Sequence, residues 1–264
     1  MRTIIAALTL LLSVNALAGF YEGFLAYDAG DYETAFDEWK PLAEQGDADA
    51  QYWLAYMYEI GEGVLQDDKE AVKWYTKAAE QGYADAQYRL AYIYHNGEGV
   101  LQDDKEAVKW YTKAAEQGDA FAQFSLAYMY DNGEGVLQDD KMAVKWYTKA
   151  AEQGNAFAQF SLAYMYDNGE GVLQDDKEAV KWYTKAAEQG YAGAQTNLGV
   201  MYGKGAGVLQ DNVYAHMWAN IASSNGNENG GKLRDSVAES MTPQQIAEAQ
   251  RLARECVKKD YKNC

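Results

Sequence analysis

The sequence predicts an all-α solenoid built from helix-turn-helix repeats. The block GEGVLQDDKEAVKWYTKAAEQG begins at Gly61, Gly97 and Gly169, and it recurs at Gly133 with Met142 as its single change. The constant spacing of 36 residues lies in the range of repeat architectures, in which neighbouring units together bury a continuous core. The chain has only two prolines, and apolar residues recur at helical spacing, which favours helices throughout.

The N-terminal residues 1–18 have the pattern of a secretory signal peptide. Arg2 precedes an apolar run that ends in Ala16-Leu17-Ala18, and small residues at this place are typical of a cleavage site. We therefore expect cleavage after Ala18 and a periplasmic or secreted protein. An uncleaved membrane anchor is the alternative. No later apolar run is long enough to cross a bilayer, so we expect no stable membrane insertion after cleavage.

The composition limits the kinds of partner. The formal net charge of −17 disfavours nucleic acid and anionic membrane surfaces, because both are themselves negatively charged. Apolar residues make up 48% of the chain, and the 22 tyrosines and seven tryptophans are far too many for a disordered segment. We expect a folded protein that acts as a monomer.

Each repeat contains the signals of two helices, as the second copy shows. The first helix is predicted from Ala86 to Asn96-Gly97, a pair typical of a left-handed helix end. After a short loop, Asp103 precedes Glu106 by three residues, which is the arrangement of a capping box. The second helix then presents apolar residues three and four apart on one face.

The repeats resemble the Sel-one-like repeat family, a branch of the tetratricopeptide-type α/α solenoids. The resemblance rests on A-x-x-x-L-A-x-x-Y-x-x-G-x-G-V-x-x-D followed by A-x-x-W-Y-x-x-A-A-x-x-G. In the second copy these residues are Ala86, Leu90, Ala91, Tyr94, Gly97, Gly99, Val100, Asp103, Ala107, Trp110, Tyr111, Ala114, Ala115 and Gly118. It implies a right-handed superhelix of the exported bacterial type, which binds a protein or peptide on a concave face lined by the first helices.

The same register gives the domain boundaries. We assign the signal peptide to residues 1–18, N-terminal capping helices to 19–47, five repeats to 48–227 and C-terminal capping helices to 228–264. The repeats are expected at 48–83, 84–119, 120–155, 156–191 and 192–227. In the last segment, Thr242, Pro243 and Gln245 have the pattern of a capped helix start.

The two cysteines, Cys256 and Cys264, lie together near the end of the chain. An even number of cysteines in an exported protein predicts a disulfide between them. A metal site would lack further ligands, because the only histidines, His95 and His216, are isolated in the sequence.

No motif predicts catalysis, a metal or a cofactor. The G-E-G segments resemble a phosphate-binding loop, but they follow a helix, whereas a dinucleotide loop follows a strand. Asp67-Asp68 lacks the calcium-loop spacing and fits helix capping. The tryptophan in each second helix is either a stacking platform or, as we expect, inter-repeat packing. An enzyme remains the alternative, because some cysteine-rich relatives are described as binding or hydrolysing β-lactams; those carry a disulfide in every repeat, and this chain does not.

Differences among the four similar copies point to a binding face. Counted from Ala48, Ala84, Ala120 and Ala156, 28 of the 36 positions are identical, and most variable positions lie on or beside the first helix. Steps of four and seven residues place the largest changes on one helical stripe, on which we expect Arg89 to be exposed. Neutral drift is the alternative explanation. The predicted partner-binding residues are Trp53, Tyr56, Arg89, Tyr92, Phe121, Ser125, Tyr128, Phe157, Ser161, Tyr164 and Asn197.

Overall fold

The computed structural model describes residues 18–264, which form fourteen α-helices and no strand. This confirms the predicted all-α solenoid; the signal peptide predicted over residues 1–18 lies, apart from Ala18, outside the described residues. The helices are α1 (18–28), α2 (Tyr32–Glu44), α3 (Ala48–Ile60), α4 (Asp68–Glu80), α5 (Ala84–Asn96), α6 (Asp104–Glu116), α7 (Ala120–Asn132), α8 (Asp140–Glu152), α9 (Ala156–Asn168), α10 (Asp176–Ala187), α11 (Ala192–Lys204), α12 (Asn212–Ser224), α13 (Glu228–Ala238) and α14 (Pro243–Lys258).

The chain divides into two compact units. Among the described residues, the first comprises residues 18–122 with Glu134–Val136, and the second comprises Gln123–Gly133 with Leu137–Cys264. Within the first unit, each helix from α2 to α6 packs on the next along the chain; within the second unit, the same holds from α8 to α13, and α14 packs on α12. Contacts between sequence neighbours are the arrangement that a repeat protein requires.

Glycines with positive φ end the first helices and shape the loops that follow. The helix α5 begins at Ala84, two residues before the predicted start, and Gly97 ends it in the left-handed conformation with φ of 74°. Gly99 also has a positive φ of 69°, and a Cβ atom there would lie 2.6 Å from the Cβ atom of Asp68. The G-E-G segment is therefore a packed turn against the preceding second helix.

An aspartate caps the second helix of each repeat. The Asp103 carboxylate accepts hydrogen bonds from the N–H groups of Lys105 and Glu106, at 3.0 and 3.1 Å. The predicted capping box is only half formed, because the Glu106 carboxylate pairs instead with the Lys109 ammonium at 2.8 Å. The Asp103 carboxylate thus satisfies two of the exposed amides of this helix start.

The second helices supply most of the aromatic core. Their tryptophans are at most 6% exposed, so they are core residues and not stacking platforms. The ammonium of Lys113 lies 4.1 Å from the ring centroid of Trp110 and covers its outer face. The buried tryptophans are Trp74, Trp110, Trp146, Trp182 and Trp218.

Buried glutamines connect successive helices. The Gln87 amide donates to the carbonyl oxygen of Ala79 at 3.0 Å, and its oxygen accepts from the Gln117 amide at 2.7 Å. One side chain thus joins the end of α4, the start of α5 and the end of α6. Equivalent side-chain pairs are Gln51 with Gln81, Gln159 with Gln189, and Gln195 with Asn225. These bonds satisfy buried polar groups and fix the register of each helix on its neighbours.

A disulfide between Cys256 and Cys264 closes the C-terminal segment, as predicted. The enclosed Tyr261 hydroxyl donates to Asn225 at 3.1 Å, and the Asn263 backbone N–H donates to the Glu188 carboxylate at 3.1 Å. The disulfide loop therefore holds the tail against the ends of α10 and α12, within the second unit. Between residues 18 and 264, no helix is both long and apolar enough to cross a membrane.

Candidate functional site

The first helices carry large aromatic side chains on their surface. Phe121 in the first unit is 59% exposed, and in the second unit Tyr128, Phe157 and Tyr164 are 43%, 52% and 46% exposed. These four belong to the predicted stripe. They present apolar area to solvent at positions where polar side chains would normally lie.

Trp53, in contrast, is used largely for packing within the first unit. Its ring stacks on that of the buried Trp39, with the centroids 5.4 Å apart, and it meets Tyr27 at 5.6 Å. Tyr56 lies beside it at 5.9 Å and is half-buried. Trp53 therefore joins α3 to the two preceding helices and leaves only part of its ring available to a partner.

Arg89 is half-buried, so the expectation that it is an exposed residue is wrong. Its Nε atom donates to Oε2 of Glu59 at 3.0 Å, and the Tyr75 hydroxyl donates to the same oxygen at 2.7 Å. Burial raises the pKa of Tyr75, which keeps its hydroxyl protonated as a donor. Arg89 therefore balances an inward carboxylate, and its guanidinium also lies 4.8 Å from the ring centroid of the half-buried Tyr92.

In two later repeats, the residue equivalent to Arg89 bonds directly to a tyrosine of the preceding second helix. Asn197 donates to the Tyr183 hydroxyl at 2.9 Å, and Ser161 forms a hydrogen bond with Tyr147. Ser125 occupies the equivalent position in α7 and is half-buried. Variation at this position thus changes which side chain meets a buried aromatic residue, a structural role that the sequence comparison did not identify.

A cavity of about 460 Å³ lies on the first-helix face of the first unit. Among its lining residues are Tyr56, Arg89 and Phe121 from the predicted set. Asp85 and Asp119 also line it and were not among the predicted residues, although Asp85 occupies a variable position. Partial burial at this surface, and secondarily the negative charge of Asp119, raises the pKa of Asp85. The predicted residues are therefore brought together here with two neighbouring carboxylates.

The second unit has an aromatic cluster on the corresponding helices. The Phe157 ring lies 5.8 Å from that of Phe124 and 5.4 Å from that of Tyr191. Phe160 also meets Tyr191, at 4.9 Å. This cluster supports the exposed face of Phe157 and is suited to apolar contact.

A row of exposed leucines was missed by the sequence reasoning. In each repeat, one leucine in the loop between the first and second helix is about 90% exposed, far more than the other large apolar residues. Their signal was visible in the sequence as an apolar residue repeated at the same loop position. They are Leu65, Leu101, Leu137, Leu173 and Leu209.

No group of three or more histidine, cysteine or acidic side chains among residues 18–264 is arranged to hold a metal ion. The disulfide uses both cysteines of the sequence, and it lies outside the repeats.

Comparison with solved structures gives close likenesses over most of the chain. A protective antigen present in uropathogenic Escherichia coli strains, which displays an SLR fold, is 36% identical with a TM-score of 0.82; the match covers 93% of this chain and 55% of that one. A Sel1 repeat protein from Oxalobacter formigenes is 34% identical with a TM-score of 0.79, over 89% of this chain and 99% of the other.

Similarity to curated proteins is confined to short segments. An exopolysaccharide production negative regulator of Rhizobium leguminosarum bv. viciae is 43% identical over 58 residues, which is 22% of each chain. The protein of the same description from Rhizobium meliloti (strain 1021) is 38% identical over 58 residues. The aligned part thus spans about a fifth of these relatives.

The family model described as "Sel1 repeat" matches five consecutive segments, at residues 48–83, 84–119, 120–155, 156–191 and 192–227. These matches cover more than half of the chain and coincide with the helix pairs from α3–α4 to α11–α12. The chain therefore belongs to the Sel1 repeat family.

Proposed function

We propose that this protein is a non-enzymatic scaffold that binds a protein or peptide through its first-helix face, the concave face of the expected solenoid, in the periplasm or outside the cell. The observation that carries the proposal is the exposure of Phe121, Tyr128, Phe157 and Tyr164 on first helices. Exposed aromatic side chains of this kind dominate the energy of many protein interfaces.

The family supports the binding role. Sel1 repeat proteins generally mediate protein–protein interactions and are typically non-enzymatic scaffolds. In such proteins, repeated helices offer one extended surface to a partner. The aromatic face of each unit would supply contacts to successive segments of that partner.

Two observations support an envelope location. Residues 1–18 have the pattern of a secretory signal peptide. In addition, the 36% identical Escherichia coli relative is described as a protective antigen of uropathogenic strains, and an exported protein is well placed to act as one. If the proposal is right, the chain isolated from the envelope fraction of native cells begins at Gly19.

The binding role can be tested with two matched double variants in the second unit. The protein without residues 1–18 serves as bait for envelope extract from the native organism. We expect Phe157→Ala with Tyr164→Ala to weaken binding of the captured partner by at least about tenfold, or 1.4 kcal/mol, because hot-spot aromatic contacts are lost. Titration of the purified partner gives the dissociation constant.

The control removes a similar kind of exposed apolar side chain from another surface. Leu173→Ala with Leu209→Ala should leave the dissociation constant unchanged, and both double variants should keep the helical circular dichroism spectrum. If the leucine variant no longer binds the partner and the aromatic variant binds it normally, the partner binds the loops that carry the exposed leucines, and the proposal is wrong.

A further inference from the structure

The cavity in the first unit has walls of two kinds. Tyr56, Tyr88 and Phe121 provide aromatic surface, and the rings of Tyr88 and Phe121 lie 6.2 Å apart. Asp85 and Asp119 provide carboxylates at the same cavity. Aromatic faces and carboxylates both attract cations, the first through the ring quadrupole and the second through their full charge.

No cation among the described residues that line the cavity is available to neutralise these two carboxylates. Arg89 is the single basic residue of that lining, and its guanidinium is held by Glu59. The Asp119 carboxylate accepts a hydrogen bond from the Ala122 N–H at 2.6 Å, which fixes it at the start of α7. Partial burial, and secondarily the negative charge of Asp119, raises the pKa of the Asp85 carboxyl group. A positive group placed between them would relieve this repulsion.

The pairing of two carboxylates is particular to this cavity, because one period earlier Asp49 keeps the first carboxylate but Tyr83 stands in place of the second. One period after Asp85 stands Phe121, and two periods after it stands Phe157. Two periods after Asp119 stands Tyr191. In the second unit the equivalent positions therefore carry the aromatic rings of Phe157 and Tyr191, which contact each other at 5.4 Å. The carboxylates consequently distinguish the first unit as the place for a charged group.

We propose that this cavity binds a lysine or arginine side chain of the partner, with Asp85 and Asp119 facing its charge and Tyr56, Tyr88 and Phe121 enclosing its stem. The inference rests on the proposed binding function and adds the chemistry of the ligand. The cavity volume of about 460 Å³ is within the range of sites that accept small ligands, so an extended basic side chain fits it. The partner is thus a protein or peptide with an exposed basic residue.

The test uses two small probes that differ in charge and are similar in shape. Nα-acetyl-lysine methylamide and its norleucine counterpart are titrated into the protein without residues 1–18, and binding is followed by ligand-observed nuclear magnetic resonance. We expect saturable binding of the lysine probe and binding of the norleucine probe that is at least tenfold weaker. Asp85→Asn and Phe121→Ala should each weaken binding of the lysine probe about five- to tenfold.

A control separates this site from general attraction to an acidic protein. Glu80→Gln removes the same charge as Asp85→Asn from an exposed position at the end of α4, and it should leave lysine binding unchanged. Equal affinity for the two probes, or equal loss in Asp85→Asn and Glu80→Gln, would overturn the proposal.

The captured partner distinguishes failure of this inference from failure of the proposed function. If Phe121→Ala weakens binding of the partner and Asp85→Asn does not, the first-helix face binds the partner through apolar contacts alone and the proposed cation site is wrong. If the lysine probe binds as expected but the affinity of the partner is unchanged by Phe121→Ala and by Phe157→Ala with Tyr164→Ala, the partner does not use the first-helix face and the proposed function is wrong. The cavity then still binds a basic side chain, but not one of this partner.

Discussion

At the scale of single residues, the inward polar groups are held by specific partners. Glu59 is 14% exposed in its side chain, and an unpaired carboxylate at such a place would carry a desolvation penalty. Arg89 and Tyr75 both donate to it, so the charge is matched and its oxygens are satisfied. Residues that looked variable, and therefore free, in the sequence comparison are here constrained by a buried neighbour.

We predict that Arg89→Ala lowers the free energy of unfolding by about 1–3 kcal/mol, because Glu59 loses its charged partner. Urea denaturation followed by circular dichroism measures this change. Adding Glu59→Gln should recover part of the loss, since the neutral amide needs no cation. A loss below about 0.5 kcal/mol, typical of a surface substitution, would show that the ion pair contributes little.

At the scale of elements, the loop between the two helices of a repeat is specified by backbone conformation and close packing. Gly99 combines a φ of 69° with contact to the start of α4, whereas Gly30 has a similar φ of 79° and open space where a Cβ atom would lie. The two glycines therefore separate the cost of a left-handed backbone from the cost of a steric clash.

Gly99→Ala should destabilise the protein by about 3 kcal/mol, because a strained backbone is combined with overlap on Asp68. Gly30→Ala, with the strain alone, should cost about 1 kcal/mol. Thermal and urea unfolding of both variants provide the comparison. Equal costs for the two would mean that the loop relaxes away from α4 without penalty.

At the scale of the whole molecule, repetition made the fold predictable and the site less so. The 36-residue spacing, the glycine at each helix end and the capping aspartates gave the helix pairs, because these signals are local and recur. The sequence could not show that Arg89 meets Glu59 and Tyr75, since that contact depends on how neighbouring helices face each other. The carboxylates of Asp85 and Asp119 likewise come together only in the folded first unit.

The same repetition indicates how stability is distributed within the second unit. Each helix packs mainly on its sequence neighbours, and hydrogen bonds such as Gln159 to Ala151 and Asn197 to Tyr183 join successive repeats. In a nearest-neighbour system, the free energy of unfolding is close to the sum of contributions from single repeats and from the interfaces between them. Removing one full period should therefore remove the contribution of one repeat and one interface and leave the remaining contacts intact.

We predict that deleting residues 156–191 gives a soluble helical protein that melts cooperatively at a lower temperature. The deletion joins Asn155 to Ala192. Tyr147 then takes the place of Tyr183 opposite Asn197, and Glu152 takes the place of Glu188 beside the tail. The new junction therefore repeats the native contacts. Circular dichroism should show unchanged helicity per residue, and the denaturant m-value should fall with the smaller buried surface. Deleting residues 156–173, which is half a period, breaks this register and should abolish cooperative melting. If the full-period deletion is also non-cooperative, contacts beyond neighbouring repeats hold the second unit together, and the nearest-neighbour account of this solenoid is wrong.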